Sequence, residues 1–182
     1  MAEMIATTLA LGDPAPEFAL RDTTGAKHVV PAEDAPPATV LVVTCNHCPY
    51  VIAWNPRLRQ VAEDYQPRDV RFLAINANDA TRYPADSAER MKRFVSEQGW
   101  PIPYLHDESQ EVARALGAEV TPHVVVFDSE HRLAYHGAPD ADHQDPGQDA
   151  VWLREALDAV LAGEPVPTAE TNARGCSVKW RA

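Results

Sequence analysis

The 182-residue sequence predicts an α/β fold with a mixed central sheet, and three observations carry that expectation. The all-apolar, β-branched run Thr39-Val40-Leu41-Val42-Val43 has the length and composition of a central strand buried on both faces. A helically spaced set, Val51, Trp54, Leu58, Val61 and Tyr65, separates it from a second run, Val70-Arg71-Phe72-Leu73-Ala74-Ile75. Two strands joined through a helix form a right-handed crossover and lie parallel. Further along, Val124–Phe127 and Arg132–Tyr135 are linked only by Asp128-Ser129-Glu130-His131, which predicts an antiparallel hairpin.

The remaining elements follow in chain order. Gly12-Asp13-Pro14-Ala15-Pro16-Glu17-Phe18-Ala19-Leu20 is a proline-set lead-in to a short strand, Asp22 to Gly25 a turn, and Lys27–Val30 the returning strand. Pro31 to Pro37 is a loop before the central strand at 39–44. The helix after that strand contains Pro56, which removes one ladder hydrogen bond and kinks it. Asp86 with Glu89 reads as a cap for a helix carrying Met91, Phe94 and Val95 and stopped by Gly99. Asp107 with Gln110 repeats that pattern for a helix bearing Val112, Ala113 and Leu116 and ending at Gly117. A polar loop, Asp140 to Gln148, precedes a last helix with Leu153, Ala156, Leu157, Val160 and Leu161 on one face. The chain has no visible internal repeat and reads as one domain, 1–182, with an N-terminal extension over 1–11 and a tail over 163–182.

Composition removes several function classes. A net charge of −11 repels phosphate backbones and anionic lipid, so neither nucleic acid nor a membrane surface is an expected partner. Met1 to Leu11 has no basic flank and too short an apolar run for a secretory signal, so the expected location is cytoplasmic. Three cysteines are too few for a disulfide framework. In a reducing compartment a single Cys-x-x-Cys points to catalysis.

That motif is Cys45-Asn46-His47-Cys48, at the turn from the central strand into the helix. A three-residue separation at a helix start puts both side chains on one face, with Cβ atoms roughly 5–6 Å apart. Small rotamer changes then bring the sulfurs to disulfide geometry. Orphan amides of the first turn, carrying about half a positive charge, are expected to favour a thiolate at Cys45, with His47 a second source of positive charge. Lowering a thiol pKa from ~8.5 to ~6 raises the thiolate fraction at neutral pH from ~3% to ~90%, a differential stabilisation of about 3.4 kcal/mol. Asn76, Asn78 and Asp79 follow the second parallel strand and should face the same sheet edge; serving only their own turn backbone is an equal reading.

The lead-in at 12–20, Cys45-Asn46-His47-Cys48-Pro49, Thr121-Pro122-His123 before Phe127-Asp128, and the terminal Gly175-Cys176-Ser177-Val178-Lys179-Trp180 together resemble the thioredoxin-like, peroxiredoxin-related redoxin (AhpC/TSA-like) group. The resemblance implies a thioredoxin-like fold with helices on both faces of the sheet. It implies that Cys45 attacks a disulfide and Cys48, the buried sulfur, resolves the mixed disulfide. It also implies that Pro122 is a cis-proline opposite the cysteines and that Thr121 presents backbone to an extended substrate segment. Partners would then be protein or small-molecule disulfides and an unidentified electron donor, with no cofactor.

Two departures stand out. The strand before the motif lacks the buried acid of typical thioredoxins, leaving Asp79 and His123 as candidates to move the proton of Cys48, with Asn46 as a further auxiliary. If Cys48 takes the place of a peroxidatic cysteine, Cys45 stands where peroxiredoxins have Thr and Pro122 falls near their Arg, so efficient peroxide reduction is not expected. Cys176 has two readings, a small buried hydrophobe or a thiol that relays oxidation from the cysteine turn. The expected function is thiol–disulfide exchange. The alternatives are a thiol peroxidase-like antioxidant protein and a non-enzymatic copper- or zinc-binding or redox-sensing module. A closed metal site lacks the second half of its ligand set, so no metal is expected.

Overall fold

The computed structural model of the protein describes residues 9–182, so the first eight positions of the expected extension over 1–11 lie outside the described residues. A five-stranded sheet has the order β5-β4-β3-β7-β8. Its centre is β3 (Ala38–Thr44), whose seven residues are all buried because helices or loops cover both faces. β3 runs parallel to β4 (Arg71–Asn76), in register from Thr39↔Arg71 to Thr44↔Asn76, and antiparallel to β7 (His123–Asp128). β7 turns back into β8 (Leu133–Gly137). β5 (Tyr104–His106) pairs parallel with β4 at the edge. Its three residues are too few to show a period, which is why sequence patterning missed it.

The chain therefore has the thioredoxin-like α/β architecture that its motifs imply, with a core on each side of the sheet. Val40 and Val42 face α1 (Pro49–Tyr65), α2 (Ala88–Gln98) and α4 (Val151–Ala162) through Trp54, Leu58, Met91, Leu153 and Leu157. Leu41 and Val43 face α3 (Glu111–Ala115) through Val112 and Ala113, and the tail through Val178. The hairpin of β1 (Phe18–Arg21) and β2 (Lys27–Val30) closes over this second side. Among the described residues no helix is long and apolar enough to cross a membrane.

Caps differ from the sequence expectation in two places. Ser87, not Asp86, is the N-cap of α2 and accepts from the Arg90 amide at 3.2 Å, while Gly99 closes the helix at φ +55°. At α3 the N-cap position is Gln110, and Asp107 instead reaches the Ala113 amide at 2.9 Å.

Pro56 lies inside α1. On the same helix Arg57 is buried, which requires a buried counter-charge. Asp140 supplies it at 2.8 Å and also accepts from Trp54 Nε1 at 2.8 Å and the Ala150 amide at 2.9 Å. The polar 140–148 loop is thus fastened to α1 by this buried carboxylate and by the Asp142 and His143 carbonyls, each accepting from Arg57 at 2.9 Å. Asp140→Ala strands a buried guanidinium and is expected to lower the unfolding free energy by about 3–5 kcal/mol. Urea denaturation measures this, and a loss below about 1 kcal/mol would show that the ion pair does not hold the loop.

Candidate active site

β3 ends at Thr44, and the backbone bends through Asn46 and His47 before Pro49 opens α1. Proline is favoured at the first helical position because its missing N–H is an orphan there anyway. Cys48 is therefore the N-cap residue, with extended backbone at φ −69° and ψ 129°. This corrects the sequence expectation that the first-turn amides serve Cys45.

Cys45, Val51 and Cys176 pack around Cys48. The Cys45 thiol contributes most to holding its pKa well below the ordinary thiol range; burial opposes this, and the Cys176 thiol and the Val51 and Cys176 amides reinforce it. Cys45 behaves in the opposite way. Donating to Cys48 pushes its pKa up, burial adds to that, and so does the negative charge of Asp86. The Thr121 hydroxyl, 3.4 Å away, and the His47 amide act against the rise. Both residues are nearly sealed, Cys45 at 3% and Cys48 at 1% exposure.

The loop between the cysteines is held by a residue that the sequence reading assigned to a helix cap. Asp86 is completely buried and accepts from the Asn46 amide at 2.8 Å, Asn76 Nδ2 at 3.1 Å and Asn78 Nδ2 at 3.0 Å. The His47 Nδ1 atom lies 3.2 Å from its other face. His47 thus turns its imidazole to Asp86 and only its backbone amide to Cys45. Asn46 is fixed further by accepting from the Tyr104 hydroxyl at 2.7 Å and donating to the Ala85 carbonyl at 2.9 Å.

The Thr121–Pro122 peptide bond is cis. As a thiol, Cys48 can donate to the Thr121 carbonyl at 3.5 Å, so this residue contacts both sulfurs. The backbone edge of Thr121 is occupied: β6 (Val120–Thr121) pairs antiparallel with β9 (Cys176–Ser177), with Thr121 opposite Cys176. Cys45, Cys48, Pro49, Thr121, Cys176 and Lys179 are among the residues lining a cleft of about 80 Å³, well below the ~300–1,000 Å³ of ordinary ligand pockets.

Two auxiliary candidates stand elsewhere. Asp79 binds the Thr81 amide at 3.1 Å and approaches Arg181 at 3.8 Å, which commits it to its own turn and the tail. His123 packs against His136 at 5.9 Å between ring centroids, and burial pushes its pKa down to about 4. Neither lines the cleft. Cys45, His47 and Asp86 offer ligand atoms within 4.8 Å of one another, but the Asp86 oxygens already serve three asparagine residues.

A mixed sheet with a Cys-x-x-Cys at the end of its central strand, facing a cis-proline, defines a thioredoxin-fold protein of the redoxin class. Residues 11–136 match the AhpC/TSA family model, and the chain belongs to that family. Comparison with curated proteins gave no match. An uncharacterized conserved protein from Geobacillus kaustophilus is 42% identical, with a TM-score of 0.90 over 96% of this chain and 94% of its own. A hypothetical protein from Sinorhizobium meliloti 1021 is 37% identical, with a TM-score of 0.90 over 97% of each chain. A thiol:disulfide interchange protein of the thioredoxin family from Chlorobium tepidum shares the fold at 20% identity, with a TM-score of 0.65 over 84% of this chain and 98% of its own.

Asp86→Ala removes the acceptor of three buried donors and is expected to cost about 3 kcal/mol or more. It also removes the charge that opposes ionisation of Cys45, so Cys45 should alkylate faster at neutral pH. Urea denaturation and mass-resolved alkylation measure the two effects. Wild-type stability with unchanged Cys45 reactivity would contradict the role given to the carboxylate.

Proposed function

We propose that the protein is a thiol–disulfide oxidoreductase in which Cys48 attacks and Cys45 resolves. The observation that carries this reading is the N-cap position of Cys48 at the start of α1, with Cys45, Thr121 and Cys176 lining the cleft around it. The roles are reversed from the sequence expectation because the helix begins after the second cysteine.

Cys48 thiolate attacks one sulfur of a disulfide, the other sulfur leaves as thiolate, and a mixed disulfide remains. Cys45 then loses the negative neighbour to which its proton was donated, and its pKa falls. The proton that Cys45 gives up passes to the released substrate thiolate, and Asp79 and His123, which lie outside the cleft, take no part. Cys45 thiolate displaces the substrate sulfur from Cys48, leaving a Cys45–Cys48 bridge for an external electron donor to reduce. His47 is a positioning residue in this scheme, holding Asp86 through its imidazole. The low cysteine count supports a reducing, cytoplasmic setting, with protein or small-molecule disulfides as substrates.

The narrow cleft favours a second oxidant, a hydroperoxide. Cys48 thiolate would take one peroxide oxygen to form a sulfenic acid and release the alcohol or water. Cys45 would then condense with it, releasing water and forming the same bridge. The cation lining the cleft is Lys179.

Turnover of an aromatic disulfide and of hydrogen peroxide, each with dithiothreitol as reductant, tests the assignment. Cys48→Ser should abolish both activities, and Cys45→Ser should retain the first chemical step without forming the Cys45–Cys48 bridge. Cys48→Ser with wild-type activity, or a wild type inert toward both oxidants, would overturn it.

A further inference from the structure

The tail carries a third thiol that the two-cysteine scheme leaves unused. Cys176 sits opposite Thr121 in an antiparallel pair, packs against the cluster of Cys45, Cys48 and Val51, and lines the same cleft as both cysteines. Close approach of the two backbones makes this placement achievable. A Cβ at position 175 would fall 1.7 Å from the Thr121 carbonyl oxygen, so only Gly175 lets the tail come this near.

The segment is pinned beyond the cysteine. The Val178 amide donates to the Glu119 carbonyl at 2.9 Å, and the Lys179 amide to Asn78 Oδ1 at 2.9 Å. Gln110 Nε2 holds the Lys179 carbonyl at 2.9 Å, and Trp180 lies under Arg114 at 4.2 Å. Such anchoring leaves Cys176 little freedom to be anywhere but beside Cys48. It occupies the strand edge where the family resemblance implies a substrate segment, in the same cleft as the attacking residue.

We propose that Cys176 is a third redox thiol that forms a disulfide with Cys48, so that the chain holds one oxidised pair in either of two positions. The step rests on Cys48 being the exchanging sulfur, as argued under Proposed function. From the Cys45–Cys48 bridge, Cys176 gives up its proton and its thiolate attacks Cys48. The Cys48–Cys176 bond forms, the Cys45–Cys48 bond breaks, and Cys45 leaves as a thiolate that takes up the proton. No electron enters or leaves the protein in this exchange. A mixed disulfide on Cys48 is resolved in the same way, the substrate sulfur leaving as thiolate. Cys176 is half-buried, whereas Cys45 and Cys48 are closed off, so the exchange carries the disulfide outward to a sulfur that an external dithiol can attack.

The test is peptide mapping of the full chain after oxidation with diamide and acid trapping of free thiols, in the wild type, Cys45→Ser, Cys48→Ser and Cys176→Ser. Circular dichroism verifies that each variant is folded. The expected result is a Cys48–Cys176 bridge that accumulates in Cys45→Ser with loss of both remaining thiols, and a Cys45–Cys48 bridge in Cys176→Ser. If the wild type yields only Cys45–Cys48 and oxidised Cys45→Ser keeps Cys176 as a free thiol, the third thiol plays no redox part and the two-cysteine scheme stands alone. Should Cys48 appear in no bridge in any form, the underlying reading and this inference fall together.

Discussion

The site depends on one sulfur, that of Cys48, standing at the open end of a helix with Cys45, Thr121 and Cys176 packed around it. A buried anion is costly unless dipoles or counter-charges face it. Here the compensation comes from the Cys45 and Cys176 thiols and from two backbone amides. These groups come from three parts of the chain: the residue after β3, the first turn of α1 and the tail. Ionisation of this sulfur is therefore a property of the assembled fold and not of the Cys-x-x-Cys segment alone.

Asp86 supports the arrangement from behind. Its carboxylate binds donors from the cysteine loop and from the loop after β4, two segments that the parallel β3–β4 pair brings to the same sheet edge. Its charge also bears on Cys45, discouraging that thiol from ionising and so keeping it a donor to Cys48. One buried acid thus shapes the loop and adds, after Cys48 and burial, to the rise at Cys45. The tail completes the other side, fastened through Lys179 and Trp180 to Asn78, Gln110 and Arg114, which are distant from it in sequence.

Much of this was legible from residue order. The all-apolar run at 39–43 identified the central strand because only a strand covered on both faces tolerates such continuity. The periodic apolar set after Cys48 marked α1, and Gly99 marked the end of α2. The helix start was misjudged although its signal was present: Pro49 is an N1 residue, which makes the preceding cysteine the cap. Asp86 was hidden because Asp86-Ser87 offers two adjacent cap residues, and only three-dimensional burial shows that the serine caps while the aspartate turns inward. The Arg57–Asp140 pair and the Thr121–Cys176 pairing join residues 83 and 55 positions apart, and no local pattern encodes contacts at that separation.

The most direct measurement is the ultraviolet thiolate absorbance of the reduced protein as pH is lowered, comparing the wild type with Cys48→Ser and Cys45→Ser. A depressed pKa means that the ionised form survives acidification, so the account predicts one thiolate persisting well below the ordinary thiol range near ~8.5 and vanishing in Cys48→Ser. Absorbance that appears only through that ordinary range, or that survives in Cys48→Ser and is lost in Cys45→Ser, would contradict it.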